Sequence, residues 1–213
     1  DMRRKVSIVP RTASVCITVS KCANTTLKFM FYPDDKAEPK HVHADDHLLT
    51  RLIDVGMTLN DLLDRSHRTF TFVRHPVDRF WSCYVTQIVR KGENADIVRD
   101  ISRHMGIKPR PDYSPELVLD YVMSSSPLAM DEHIRPLWSC TGIERLPIDF
   151  IGRVESMKDD IMKLLDMGFL DEKHIGRFKH LNRSNKPEIP DKARIDKIIR
   201  DVYAKDMELF GYE

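Results

Sequence analysis

The sequence predicts an α/β fold, a central and mainly parallel sheet flanked by helices. Three observations predict it. Short runs of β-branched and aromatic residues recur at Ser14-Val15-Cys16-Ile17-Thr18-Val19-Ser20, Thr69-Phe70-Thr71-Phe72-Val73 and Ile148-Asp149-Phe150-Ile151-Gly152. Segments with helical spacing of apolar residues lie between and after them, the alternation that builds parallel sheets. The 213 residues, 41% of them hydrophobic, are enough to bury a core, and neither a repeat nor a dividing linker interrupts them. Residues 1–213 are therefore expected to form a single domain.

The elements follow in order. Ser14 to Ser20 reads as a buried strand, and Thr25 to Phe31 as a helix that stops before Pro33. Asp34 to Asp46 is polar and reads as a surface loop; Leu48 to Leu63 has mixed helical spacing. After the strand at 69–73, Pro76 suits the first turn of a helix, where its missing N–H has no partner to lose. That helix is expected over Val77 to Arg90, ending before Gly92. Glu93 to Ser126 is polar, with helical segments broken at Gly106, Pro109 and Pro111 and by Pro127 beyond it. Ser156 reads as the cap of a helix, with Asp159 three residues on, that ends at Gly168. Asn182 to Pro190 is an irregular polar loop. Asp191 then caps a last helix with Ile195, Ile198, Ile199, Val202 and Tyr203 on its apolar face.

Composition excludes several classes. With 34 Lys+Arg against 33 Asp+Glu the net charge is only +1, so binding of nucleic acid through bulk charge is excluded and any anion site is local. No stretch approaches the ~18 apolar residues of a membrane-spanning helix. Arg3-Arg4-Lys5 is followed by no apolar segment of the kind a signal peptide needs. The four cysteines, Cys16, Cys22, Cys83 and Cys140, show no C-x-x-C spacing and read as reduced thiols.

Chemistry shows at two places. Lys21-Cys22-Ala23-Asn24-Thr25-Thr26-Leu27-Lys28 joins a strand's carboxyl end to a helix N-terminus, where N–H groups and the positive end of the helix dipole converge on one point. Lys21 adds a formal charge and Asn24, Thr25 and Thr26 add short donors. Taken alone, this is either an anion site or a plain helix cap beside a solvated lysine, and the G-x-x-x-x-G-K-[ST] pattern of nucleotide kinases is missing. The second place is Phe72-Val73-Arg74-His75-Pro76-Val77-Asp78-Arg79-Phe80-Trp81-Ser82-Cys83-Tyr84. A guanidinium leaving a buried strand at Arg74 needs an anion, either a ligand or a structural ion-pair partner. Ser82, two helical turns on, offers a hydroxyl to the same anion. Phe80, Trp81 and Tyr84 read as packing, and Asp78 with Arg79 as a solvated or paired face.

Together, Lys-x-x-Asn-Thr-Thr and Phe-Val-Arg-His-Pro-x-x-Arg-Phe-x-Ser-x-Tyr resemble the sulfotransferases that use 3′-phosphoadenosine 5′-phosphosulfate, above all the chondroitin/HNK-1-type carbohydrate sulfotransferases of the Golgi and their bacterial relatives. Three further segments resemble that family: Asp131-Glu132-His133-Ile134-Arg135-Pro136 with Cys140, Asp149-Phe150-Ile151-Gly152-Arg153-Val154-Glu155, and Val202 to Tyr212. The resemblance covers residues 15–212 and implies a P-loop-like sulfotransferase fold. It implies that Lys21, Cys22, Ala23, Asn24, Thr25 and Thr26 bind the 5′-phosphosulfate and that Arg74 and Ser82 bind the 3′-phosphate. It also places Arg183, Ser184 and Lys186 in a loop that closes over the nucleotide; read alone, that loop is a charged surface segment. Cys22-Ala23 departs from the usual small residues of the loop, and Ile134 stands where the family often has Trp.

The resemblance implies an in-line transfer of a sulfuryl group to a hydroxyl of a saccharide or glycolipid, releasing 3′,5′-adenosine bisphosphate and requiring no metal. Lys21 would stabilise the leaving oxygen. A base for the acceptor proton is sought at His43, which has His41 beside it in a His-x-His pair, with His133 as its rival. His41, His43 and His47 with Asp45 and Asp46 also suggest a divalent metal site, but no cysteine or glutamate completes the set. The competing readings are a nucleotide-dependent kinase, which lacks its glycine-rich loop and Mg²⁺ ligands here, and a carbohydrate- or metal-binding module without catalysis. The expected setting is a bacterial cytoplasm, or the Golgi lumen for an excised domain.

Overall fold

The computed structural model describes residues 6–9, 11–32, 57–110, 112–178 and 191–213. Its contacts gather into two compact units, Asp1–Val73 with Thr141–Arg183 and Arg74–Cys140 with Ser184–Glu213.

The first unit is built on a four-stranded sheet in the order β1 (Val6–Ile8), β2 (Val15–Ile17), β3 (Thr69–Val73), β4 (Phe150–Arg153). β2, β3 and β4 are parallel, while β1 runs antiparallel to β2. The parallel α/β expectation is met. The alternation of side chains along each strand splits the core between the two faces of the sheet. Cys16, Phe70 and Phe72 pack with Leu27, Met30 and Phe31 of α1 (Asn24–Phe31) and with Ile161 and Leu164 of α7 (Met157–Asp166). Val6, Val15 and Ile17 pack on the opposite face with Leu146 and with Leu62 of α2 (Leu59–Leu63). Thr71 makes its buried hydroxyl tolerable by donating to Ile17 O at 2.7 Å, which ties β3 to β2. Gly152 faces Phe72 across the β3–β4 pair; a Cβ there would lie 2.5 Å from the ring, so only glycine fits without moving it.

The strand β1 has no counterpart in the sequence reading, because three residues beside a proline carry no usable period. The expected helix at 156–168 is α7, but the cap differs. Ser156 makes no side-chain cap bond; its hydroxyl donates to Asp160 at 2.7 Å, and Asp160, not Asp159, also accepts from the Arg153 N–H and from Lys163.

The second unit is helical: α3 (Pro76–Cys83), α4 (Asp96–Met105), α5 (Pro115–Ser124), the start of α6 (Leu137–Thr141), α9 (Lys192–Val202) and α10 (Ala204–Leu209). α3 runs on as a π-helical stretch over Tyr84–Val89, a geometry frequent near functional sites. Its core gathers Phe80, Trp81, Ile88, Ile101, Tyr113 and Leu119 around Ile195, Ile199 and Tyr203 of the last apolar face, as the helical spacing predicts. Asp191 does precede α9, but its carboxylate pairs with Arg194 at 2.6 Å instead of capping the helix.

In the first unit, α8 (Glu172–Gly176) is capped reciprocally: the Asp171 N–H donates to His174 Nδ1 at 3.1 Å, and the His174 N–H donates to Asp171 at 3.2 Å. His174 is 4% exposed, and burial holds its pKa below the ordinary histidine value despite the opposing pull of Asp171. A histidine kept neutral in the fold but free to charge when unfolded makes stability fall with acid. The contribution is complete above the unfolded pKa of ~6.5 and is lost as pH drops from there toward the folded value. Melting temperatures at pH 7.5, 6.5 and 5.5 should show a steeper acid loss in the native chain than in His174→Gln; parallel curves would refute this.

Candidate functional site

The loop after β2 is shaped by its backbone. The Cys22 N–H donates to Val19 O at 3.1 Å and closes a tight turn. Lys21 has φ 68° and Ala23 has φ 57°, both in the left-handed region that disfavours residues with a Cβ. Each costs ~1–2 kcal/mol relative to a relaxed backbone. Left-handed residues alternating with ordinary ones turn successive N–H groups to one side, the concave arrangement that cradles anions. Ala23 then accepts the first helical bond, from the Leu27 N–H at 3.1 Å, but as N-cap it offers no side-chain oxygen to the first turn of α1. A capping Ser or Asp would have competed with a bound anion for those donors.

The side chains of this loop divide into two sets. Lys21, Asn24 and Thr25 are half-buried. Asn24 Oδ1 is shielded from solvent and has no hydrogen-bond partner among the described residues. Cys22 and Thr26 are buried, the Cys22 thiol completely. Cys22 therefore shapes the turn through its N–H and packs its thiol inward.

In the second unit each residue of the Arg74 motif has a separable task. His75 is the N-cap of α3: its Nδ1 accepts the Val77 N–H at 3.2 Å, which leaves the proton on Nε2, 3.3 Å from Glu213 O. Pro76 takes N1, as expected. Arg74 is half-buried and, among the described residues, no ion pair engages it, so the structural ion-pair reading finds no support. Ser82 is 7% exposed on α3.

Arg79 corrects the sequence reading. It lies on no solvated face; it is 2% exposed, and its guanidinium donates to Arg135 O at 2.7 Å and Glu132 O at 3.1 Å. A buried cation needs such acceptors, and the carbonyls of a turn supply them. The same turn is held by Tyr203, whose hydroxyl donates to Ile134 O at 2.7 Å, and by Asp206, which accepts the Leu137 and Trp138 N–H groups at 2.7 and 2.9 Å. Burial raises the pKa of Asp206 against those N–H bonds and the nearby Arg79 charge. The two C-terminal helices, whose sequence resembles a family ending, thus act as a brace for residues 131–138. Sequence reasoning missed Arg79, Tyr203 and Asp206 as positioning residues because nothing local marks a carbonyl as their partner.

The braced turn carries His133. Its N–H and its Nδ1 both lie 2.8 Å from the same oxygen of Asp131. With Nδ1–H donating to the carboxylate, the lone pair sits on Nε2, the arrangement of a histidine oriented for general base work. His133 is 28% exposed at its side chain and Asp131 9%. His41, His43, His47, Arg183, Ser184 and Lys186 lie outside the described residues. Among the described residues no group of three or more His, Cys, Asp and Glu is placed to hold a metal.

Replacing Arg79 by lysine keeps the charge but loses the fork that reaches two carbonyls. Arg79→Lys should lose ~1.5–3 kcal/mol of stability, the worth of a hydrogen bond to a charged group, in denaturant titration. A change within ~0.5 kcal/mol, the scale of surface substitutions, would mean that the pinning is unimportant.

A model described as the sulfotransferase family matches residues 5–213. No curated protein and no solved structure matches the chain. The family match runs through the uncapped helix after β2, the Arg74 helix, the braced turn and the C-terminal helices alike, and on that span the chain belongs to the sulfotransferase family.

Proposed function

We propose that this sulfotransferase moves the sulfuryl group of 3′-phosphoadenosine 5′-phosphosulfate to a hydroxyl of a saccharide or glycolipid, and that residues 1–213 act as one transferase domain. The observation that carries the donor assignment is the loop at 20–24: two strained non-glycine residues lead into a helix with no side-chain cap. Strain of this kind persists where it serves a ligand, and the ligand it suits is a phosphate or sulfate group.

The residues fit that donor. Lys21, Ala23, Asn24, Thr25 and Thr26 are assigned the 5′-phosphosulfate, with Cys22 supporting the turn. Arg74 and Ser82 are assigned the 3′-phosphate; a half-buried guanidinium with no ion pair among the described residues supports this reading. Arg183, Ser184 and Lys186 are proposed to close over the nucleotide. The donor supplies an activated sulfuryl group and a phosphate leaving group. Lys21 offsets the charge that grows on the bridging oxygen as the S–O bond to phosphate breaks. A histidine accepts the proton of the acceptor hydroxyl as its oxygen bonds to sulfur. Loop N–H groups and cations already meet the leaving charge, so no metal is assigned. The Asp131–His133 pair favours His133 as that base, and His43 is the alternative.

The four cysteines are buried thiols and not disulfides, which suits a reducing compartment and so the bacterial cytoplasmic setting over the Golgi lumen. Among the described residues no helix is long and apolar enough to cross a membrane.

Calorimetry with 3′,5′-adenosine bisphosphate and adenosine 5′-monophosphate tests the donor assignment. Arg74→Ala should weaken the bisphosphate by ~1.5–3 kcal/mol and leave the monophosphate nearly unchanged. Equal losses would make Arg74 structural. Lys21→Ala should instead lower kcat by ~10²–10³-fold with a smaller loss of product affinity; an unchanged kcat with a raised donor KM would show uniform binding.

For the base, His133→Ala should reduce turnover by ~10²–10⁴-fold with bisphosphate binding intact. Full activity in His133→Ala, with loss in His43→Ala, would place the base at position 43.

A further inference from the structure

The second unit contains a cleft of about 320 Å³ between α4, α5 and the turn that follows α5. That volume is at the lower end of the ~300–1,000 Å³ typical of small-ligand sites. Its walls carry Asp100, Arg103 and His104 from α4, Tyr121 from α5, and Ser125 and Ala129 from the turn.

Three features describe what would bind there. Asp100 and Arg103 pair at 3.0 Å yet keep side-chain exposures of 31% and 77%, so they offer an acceptor and a donor side by side with no net charge. That arrangement suits neighbouring hydroxyls on a ring better than an anion. Ser125 Oγ is shielded from solvent and has no hydrogen-bond partner among the described residues. A buried hydroxyl left so is destabilising, and a ligand hydroxyl would satisfy it. Ala129 and the ring of Tyr121, both in the walls, give an apolar face for the C–H side of a sugar ring.

The cleft is also coupled to the proposed base. The Tyr121 hydroxyl accepts the Asp131 N–H at 3.4 Å, and Arg135 donates to Met130 O at 2.6 Å and Leu128 O at 3.4 Å. The turn lining the cleft and the Asp131–His133 pair therefore belong to one cross-braced segment.

We propose that this cleft is a subsite for one neutral pyranose ring of the acceptor, recognised by the Asp100–Arg103 pair and Ser125. The proposal rests on the sulfuryl-transfer reading above, and its test is separable from it. Methyl β-galactopyranoside and methyl β-glucuronide are titrated into the full isotopically labelled chain, with and without 3′,5′-adenosine bisphosphate, while amide signals are followed by NMR. Saturable shifts confined to residues 100–104 and 121–129 are expected with the galactoside. Asp100→Asn, at a half-buried position, and Arg103→Gln, at an exposed one, should weaken that binding at least ~10-fold without altering bisphosphate binding. This corresponds to ~1.4 kcal/mol. Ser125→Ala should weaken it in a fold of equal or higher melting temperature, because the unsatisfied hydroxyl is gone. Shifts absent from these residues, equal affinity in the variants, or binding of the glucuronide alone would overturn the subsite. Bisphosphate binding is read independently in the same samples: its failure would sink the donor reading, whatever the cleft does.

Discussion

Parallel pairing of β2 with β3 is the constraint from which the candidate anion site follows. Parallel neighbours end on the same edge of a sheet, and with Cys16 opposite Phe70 and Ile17 opposite Thr71 the two carboxyl ends are kept level. The loop at 20–24 follows the carboxyl end of β2 after Thr18 and Val19. Ligands of open α/β sheets gather at this edge because helix N-termini and chain reversals collect there. The packing that holds the pair is ordinary: Phe70 and Phe72 on one face, Val15 and Ile17 on the other, and one threonine hydroxyl satisfied across the strands.

The motif residues divide between chemistry and support in a way their sequence does not announce. In Arg-His-Pro-x-x-Arg, the first arginine has no ion pair among the described residues, the histidine caps a helix, the proline starts it, and the second arginine is buried under a turn. Tyr203 and Asp206 complete the support from the C-terminal helices. A turn made of carbonyls and N–H groups has no hydrophobic core of its own, so its shape depends on partners that satisfy each group. Distant segments of a sulfotransferase can therefore be bound together by backbone hydrogen bonding as firmly as by side-chain packing.

The loop at 20–24 achieves with lysine and alanine the left-handed turns that glycine usually provides. Left-handed φ at Lys21 and Ala23 is unfavourable in isolation, and the turn from Cys22 to Val19 together with burial of Cys22 compels it. Placing a lysine at the strained position adds a formal charge where a glycine would leave only backbone. Ala23 then leads into α1 without a capping side chain of its own.

Much was legible in the chain alone. The strand at 69–73, the helix ending at Phe31, the proline at N1 of α3 and the apolar face at Ile195, Ile199 and Tyr203 all appear where local period and punctuation put them. Local rules suffice for these because the information lies within one or two turns of chain. The strand-to-helix junction at residues 21–26 was legible for the same reason. Other features needed the tertiary structure. Strand β1 exists only because β2 offers it an edge. Asp160 displaced Asp159 because the Arg153 N–H and Ser156 hydroxyl converge on it in space. Arg79 became a buried brace, and His133 an oriented histidine, through groups 53 to 56 residues away in one case and through Asp131 in the other. A sequence shows which residues carry charge or a proton, but only the fold decides which carbonyl, carboxylate or hydroxyl they meet, because desolvation makes those long-range partners obligatory.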